Sequence, residues 1–397
     1  MNLFYKLIKH LVVIFSIGLI VYVVLHALHV LNPIEKLWAD FKFSDIYFGS
    51  VQEQEIDDEI YFVDVGLKTP HITRKEIFEF INYVNKEYKP KIIGIDVDFP
   101  IDKTISNEIN NSLIKSLQQD NIVLCYHLEK INNKWLKNKS ELLIDYSQVS
   151  HGYTNNLREK NEVDFGVERF FKPAVIEDDD TLKHFSIVIA EKMNMKVASS
   201  ILQANNKVMI NFQYKYHNPI SLGDVKNYYK LKDKIVIVGL FTKNKEGYPL
   251  YNDDVHYTPS NKYYLGKSPP NMYGGEVLAS IISNLNHNTF IKYYKYLSKL
   301  LNIILTIVLY FALLYFLGKS HKLFTAVTIL QQFFLVAFIV FLSIFFIMTY
   351  GIYIDLTPLA IFAFFSVEFV GVIDEIIYLL EPKIKHFFYK HINKSQK

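Results

Sequence analysis

A block of mixed polarity, Asn32 to Tyr296, lies between one uncharged apolar run near the N-terminus and three near the C-terminus. That layout restricts the chain to membrane-anchored architectures. The first run, Leu11 to Leu31, has about twenty residues, and at ~1.5 Å rise per residue it crosses a ~30 Å hydrocarbon layer. It is longer than a signal-peptide core, and Leu31-Asn32-Pro33-Ile34 offers no small-residue cleavage site. Leu301 to Leu317, Leu323 to Tyr350 and Ile352 to Ile373 are the other three runs. The sequence therefore predicts an end segment and first span over 1–31, an exterior domain over 32–296, three spans within 297–380, and a short basic tail over 381–397.

Orientation follows from the lysines beside the runs. Lys6 and Lys9 precede the first, Lys319 and Lys322 join the second to the third, and Lys383, Lys385, Lys390, Lys394 and Lys397 follow the fourth. Thr349 to Ile354 carries none. Both termini are expected on the cytoplasmic side of the membrane, with the large block extracytoplasmic.

The block has the composition of a folded domain: the formal net charge is +3 and aromatic residues make up 15% of the chain, which suffices for one sizeable core. Arginine is confined to Arg74, Arg158 and Arg169, and no basic stripe with interleaved aromatics points to nucleic acid. Cys125 is the single cysteine, which excludes an internal disulfide and any cysteine-based metal cluster.

Within the block, short β-rich runs alternate with helical ones. Glu59 to Gly66 reads as a strand, Ile72 to Tyr88 as a helix, Lys91 to Phe99 as a strand, Ile105 to Gln118 as a helix, and Asn121 to Tyr126 as a strand. Lys130 to Asp180 shows no clear pattern. A helix is expected over Leu182 to Met193, strands at Val208 to Phe212 and Lys234 to Gly239, and a helix over Gly275 to Leu285. Such alternation predicts an α/β domain with a largely parallel sheet and right-handed crossovers.

Asp45-Ile-Tyr-Phe48, Ile60-Tyr-Phe-Val-Asp64 followed by Thr73-Arg74, and Lys91-Ile-Ile-Gly-Ile-Asp96 form one part of an ordered set of motifs. Val208 to Phe212, Ile220-Ser-Leu-Gly-Asp-Val225, Lys234 to Gly239 and Met272-Tyr-Gly-Gly-Glu-Val-Leu-Ala279 complete it. In this set, and in three closing apolar runs with Pro358 early in the last, the chain resembles the second class of CHASE extracellular sensor domains, here CHASE-two. Bacteria attach such domains to cyclases and kinases. The resemblance implies an extracellular α/β sensor. Departures are the Leu67 to Arg74 stretch, which keeps Pro70 and Arg74 but lacks the family's tryptophans, and the short sequence after the fourth run, which leaves no room for a catalytic output domain.

The candidate ligand residues are acids at strand ends. Asp64 closes one strand, Asp96 and Asp98 close another on a shared face, and ligands of open α/β sheets bind beyond the carboxyl ends of strands. With Asp253 and Asp254, and Arg74 as counter-charge, they are expected to bind a cation or polar ligand. The competing expectation is that these carboxylates cap helices and pair with Arg74 or lysines. No metal site or cofactor is expected: Glu177 to Asp180 lacks the calcium-loop spacing, and Gly266-Lys-Ser268 and Gly318-Lys-Ser320 lack the first glycine of a phosphate loop. His71, His151, His184 and His256 read as surface or satisfied core residues. In the apolar runs, Gln331, Gln332 and Glu368 are expected to join helices, with an ion path as the alternative.

These readings predict a receptor-like membrane protein, not an enzyme, that passes a signal to a separate signalling or envelope protein, and that is compatible with a homo-oligomer. The rival expectation is a structural subunit of an envelope complex.

Overall fold

The structure is a computed structural model that describes residues 42–68, 70–132, 134–137, 146–155, 166–177, 180–196, 201, 207–245, 247–251, 254–261, 270–317, 321–366 and 379. The chain separates into two compact units, one of residues 44–293 with 350–352, the other of 1–43, 294–349 and 353–397.

The larger unit is built on six parallel strands. In chain order they are β1 (Ile60–Asp64), β2 (Ile92–Ile95), β3 (Ile122–Tyr126), β4 (His151–Tyr153), β5 (Ile220–Ser221) and β6 (Ile235–Gly239), and they lie side by side as β5-β1-β6-β2-β3-β4. Ile237 of β6 faces Phe62 of β1 on one side and Gly94 of β2 on the other. The strands β2, β3 and β6 are buried along their whole length, because helices cover both faces of the sheet and each strand is a continuous apolar run.

On one face, α1 (Pro70–Glu87) presents Ile77, Phe80, Ile81 and Val84, and α2 (Asn107–Leu117) presents Leu113 and Leu117, to Val63, Ile95, Leu124 and Val238. On the other, α3 (Phe185–Lys192) and the helix that follows the pair β7 (Val255–His256) and β8 (Met272–Tyr273), α4 (Gly274–His287), pack on Phe62, Ile92, Val123 and Ile237 through Phe185, Ile189, Leu278 and Ile282. Gly152 of β4 makes room for α3. A Cβ there would fall 2.5 Å from Phe185 Cα, closer than packed atoms approach.

The expected strand and helix alternation is therefore observed, with ends moved by a few residues. Two expectations change. Val208 to Phe212 does not join the parallel sheet: Val208–Met209 pairs antiparallel with Phe170–Phe171. The strand β2 ends at Ile95, so Asp96 and Asp98 lie in a loop and strand alternation does not set their facing. The unpatterned middle holds small elements, among them the antiparallel pair Leu128–Ile131 and Lys134–Lys137.

The second unit contains α5 (Lys295–Leu317), α6 (His321–Tyr350) and α7 (Thr357–Ser366). Lys295–Leu313 and Gln332–Tyr350 are long and apolar enough to cross a membrane. The expected fourth span is corrected at its start, because Ile352–Tyr353 is extended and α7 begins at Thr357, with Pro358 in its first turn, where a missing N–H costs nothing. The first apolar run, Glu368, Asp253 and the basic tail lie outside the described residues, as does the Gln331 side chain. Gln332, 9% exposed, donates through Nε2 to the Phe364 carbonyl at 2.9 Å, which is the helix-joining role. Asn302 ties α5 to the start of α7, donating to Asp355 O at 2.7 Å and accepting from Leu359 N at 2.9 Å.

Candidate functional site

The acids at the strand ends fall into different environments. Asp64 is saturated within the fold: Oδ1 accepts from Gly66 N at 3.1 Å and Phe241 N at 3.0 Å, and Oδ2 accepts from Thr242 Oγ1 at 2.6 Å. It locks the loop after β6 to the end of β1. Arg74, 1% exposed, turns away from the acids, donating from Nη1 to Asn110 Oδ1 at 2.8 Å and from Nη2 to the Pro100 carbonyl. It clamps α1 to α2 and to the loop after β2, so the structure places it as a fold-holding residue and not as the counter-charge expected from the sequence. Burial lowers the pKa of its guanidinium, with Asp102 opposing.

Asp96 does enter a cavity. A volume of about 260 Å³ is lined by Asp96, His127, Thr154, Asn155, Glu168, His184, Asp254 and His256, with an apolar wall that includes Phe170, Phe171, Ile210, Val277 and Ile281. Asp96 follows the last residue of β2, His127 that of β3, and Thr154 that of β4, so the cavity lies where parallel α/β sheets bind ligands. The carboxyl of Asp96 is pushed up to about 7, first by burial and then by the charge of Asp254, while His127 opposes. Asp98 is not among the lining residues but lies 3.4 Å from Nε2 of His127, which is one of them, and that contact raises the His127 pKa against burial. Thus Asp96 and Asp254 are brought together, and Asp64 and Arg74 are not among the cavity's lining residues.

A linked chain of charges forms the second wall. His256 lies 3.3 Å from Asp254 Oδ1 through Nε2 and 3.4 Å from Glu168 Oε1 through Nδ1. Burial alone would push its pKa down, but the two carboxylates outweigh that and raise it to about 9, so His256 is a cation at neutral pH. Glu168 itself is only 3% exposed. Asp254 sits at the N-terminus of α4: its carbonyl accepts from Gly274 N at 2.9 Å, and its carboxylate fills the space a side chain on Gly274 would need. The positive end of the helix dipole is thereby met by the protein's own carboxylate.

His184 completes the site. It is 3% exposed and caps α3, with Nδ1 accepting from Ser186 N at 3.3 Å. Burial pushes it down to about 3, so the ring is neutral and its proton resides on Nε2. Thr154 Oγ1, also on the wall, is buried and has no hydrogen-bond partner among the described residues. Among the described residues, no group of three His, Cys, Asp or Glu is placed to hold a metal ion.

Sequence reasoning named Asp96 and Asp254 as candidates, read His184 and His256 as surface or satisfied core residues, and did not single out His127 or Glu168. Position directly after a β-rich run was a usable signal for His127. Glu168 had none, since it lies in the unpatterned middle.

The family model described as CHASE2 domain matches residues 18–315 of the chain. No curated protein and no solved structure matches it.

Proposed function

We propose a function from one premise: the chain belongs to the CHASE2 domain family, a family of extracellular sensor domains. On that premise the unit of residues 44–293 is an extracytoplasmic receptor domain anchored in a bacterial inner membrane. It binds a small ligand in the cavity beyond β2, β3 and β4 and reports its state to a separate protein. The observation that carries this reading is the cavity itself, where polar groups converge against an apolar wall as small-molecule sites require.

Transmission needs two arrangements that the ligand binds unequally. The helix α4 is suited to sense them. Val277 and Ile281 line the cavity, and only residues 288–294 separate the end of α4 from α5.

The test uses the full chain in mild detergent. Proteins that co-purify with the wild type are compared with those recovered by Val277→Trp, which fills the cavity from its partly buried wall. Altered recovery with unchanged expression supports a receptor. Unchanged recovery assigns the domain to a structural envelope role. Cysteine labelling in intact spheroplasts checks placement, since Cys125 is the only native cysteine and is 2% exposed: Lys130→Cys should react with an impermeant thiol reagent, and Lys390→Cys should not.

A further inference from the structure

Three carboxylates, Asp96, Glu168 and Asp254, line the cavity with the basic groups His127, His256 and Lys172. His256 is shared between Glu168 and Asp254, and Lys172 makes a contact of its own in the fold. Asp96 accepts from the Cys125 thiol, a weak donor, and His127, whose charge opposes the rise in its pKa, is held by Asp98 at 3.4 Å. An ionised Asp96 therefore adds a charge that the fold leaves poorly compensated.

An anionic ligand fits poorly, because Asp254 already occupies the space before the N-terminal glycines of α4. A purely apolar ligand would leave the buried Thr154 Oγ1 unsatisfied, an unfavourable state for a hydroxyl out of water. The walls instead ask for a positive charge at Asp96 and Asp254, an acceptor for the Thr154 hydroxyl, and an apolar body against Phe170, Phe171 and Ile281. We infer that the cavity takes a small organic cation, a protonated amine on an aromatic or apolar body bearing an oxygen acceptor, with the ammonium between Asp96 and Asp254.

This assignment rests on the cavity being the sensor site, and it carries a proton linkage. The groups that face Asp96 are Asp254, Asp98, His127 and Cys125. Three of its causes, burial and the two carboxylates, hold Asp96 protonated up to about pH 7, and an ammonium beside it reverses that preference. Amine binding below pH 7 therefore expels the Asp96 proton, and affinity rises as pH rises toward 8. By reciprocity, an ion pair that shifts a carboxyl by about one unit or more changes amine affinity about tenfold or more.

The experiment is titration calorimetry on the full chain in nanodiscs with three probes that share one phenol body: tyramine (ammonium), tyrosol (neutral hydroxyl) and desaminotyrosine (carboxylate). Tyramine is expected to bind at least about tenfold more tightly than tyrosol. Its heat at pH 6 should depend on the buffer's ionisation enthalpy, which reports the released proton. Asp96→Asn should remove the buffer dependence and flatten the pH profile, and Val277→Trp should abolish binding of every probe while the melting transition is retained. If tyrosol or desaminotyrosine binds as tightly as tyramine, or tyramine affinity is independent of pH, the cation assignment is overturned while the cavity stands as the sensor site. If none of the three binds, both are overturned.

Discussion

The carboxylate of Asp254 occupies the place where a side chain on Gly274 would have to be: a Cβ built on Gly274 falls 2.5 Å from both Asp254 oxygens. The glycine is what lets a negative charge approach the first turn of α4, and the same carboxylate then reaches His256 at 3.3 Å. One backbone position thus couples the sheet-side helix to the charge chain of the cavity.

Gly274→Ala should displace Asp254 and release His256 from one of its partners. The displaced group is the end of a side chain that is 48% exposed, so it can swing aside, and the loss is about 1 kcal/mol or less, that of a partly exposed ion pair. Chemical denaturation of the full chain should show that loss. The His256 imidazole resonance, followed by NMR, should titrate at lower pH than in the wild type.

His256 gives stability a defined pH window. Its folded pKa of about 9 lies above the ordinary value of 6.5, so its contribution is complete below pH 6.5 and is lost as pH rises through about 9. The full effect is up to roughly 3 kcal/mol. Unfolding free energy measured from pH 6 to 10 should fall across that window, and His256→Gln should remove this part of the decline.

Asp96 acts in the opposite sense to a paired surface carboxylate. Burial and Asp254 raise it to about 7, so the fold favours the protonated form and must pay for ionisation as pH rises from about 4 to above 7. Asp96→Asn should therefore raise the melting temperature at pH 8 and leave it nearly unchanged at pH 4. A lower melting temperature at pH 8 would show that Asp96 is a stabilising cap instead.

Arg74→Gln separates fold from site. Its guanidinium holds Asn110 and the Pro100 carbonyl in a buried setting, and the loss of such bonds costs about 1–3 kcal/mol. Urea unfolding should show that drop, while tyramine binding by the folded protein stays as in the wild type.

Asp64→Asn tests the saturated acid. Its Oδ1 takes two backbone N–H groups and its Oδ2 the Thr242 hydroxyl, so a side-chain amide would face a donor with a donor. A loss of about 1–3 kcal/mol is expected in the same assay, with no change in ligand affinity.

Much of this protein was legible in its sequence because the governing signals are local. Ile92 to Ile95 and Ile235 to Gly239 are continuous apolar runs that only a doubly covered parallel sheet can bury, and they are strands; α1 and α4 followed from helical spacing, and the apolar lengths of α5 and α6 from hydropathy. The roles of the acids were not legible. Asp64 and Asp96 stand alike at the ends of β-rich runs, yet the loop after β6 folds over Asp64 and fills its oxygens, while Asp96 meets a second carboxylate from Asp254. Glu168, His184 and His256 reach the cavity from segments remote in sequence. Hydrophobic periodicity fixes which residues are buried and in which element. Which charges meet is decided by long-range approach of loops, on which local periodicity carries no information.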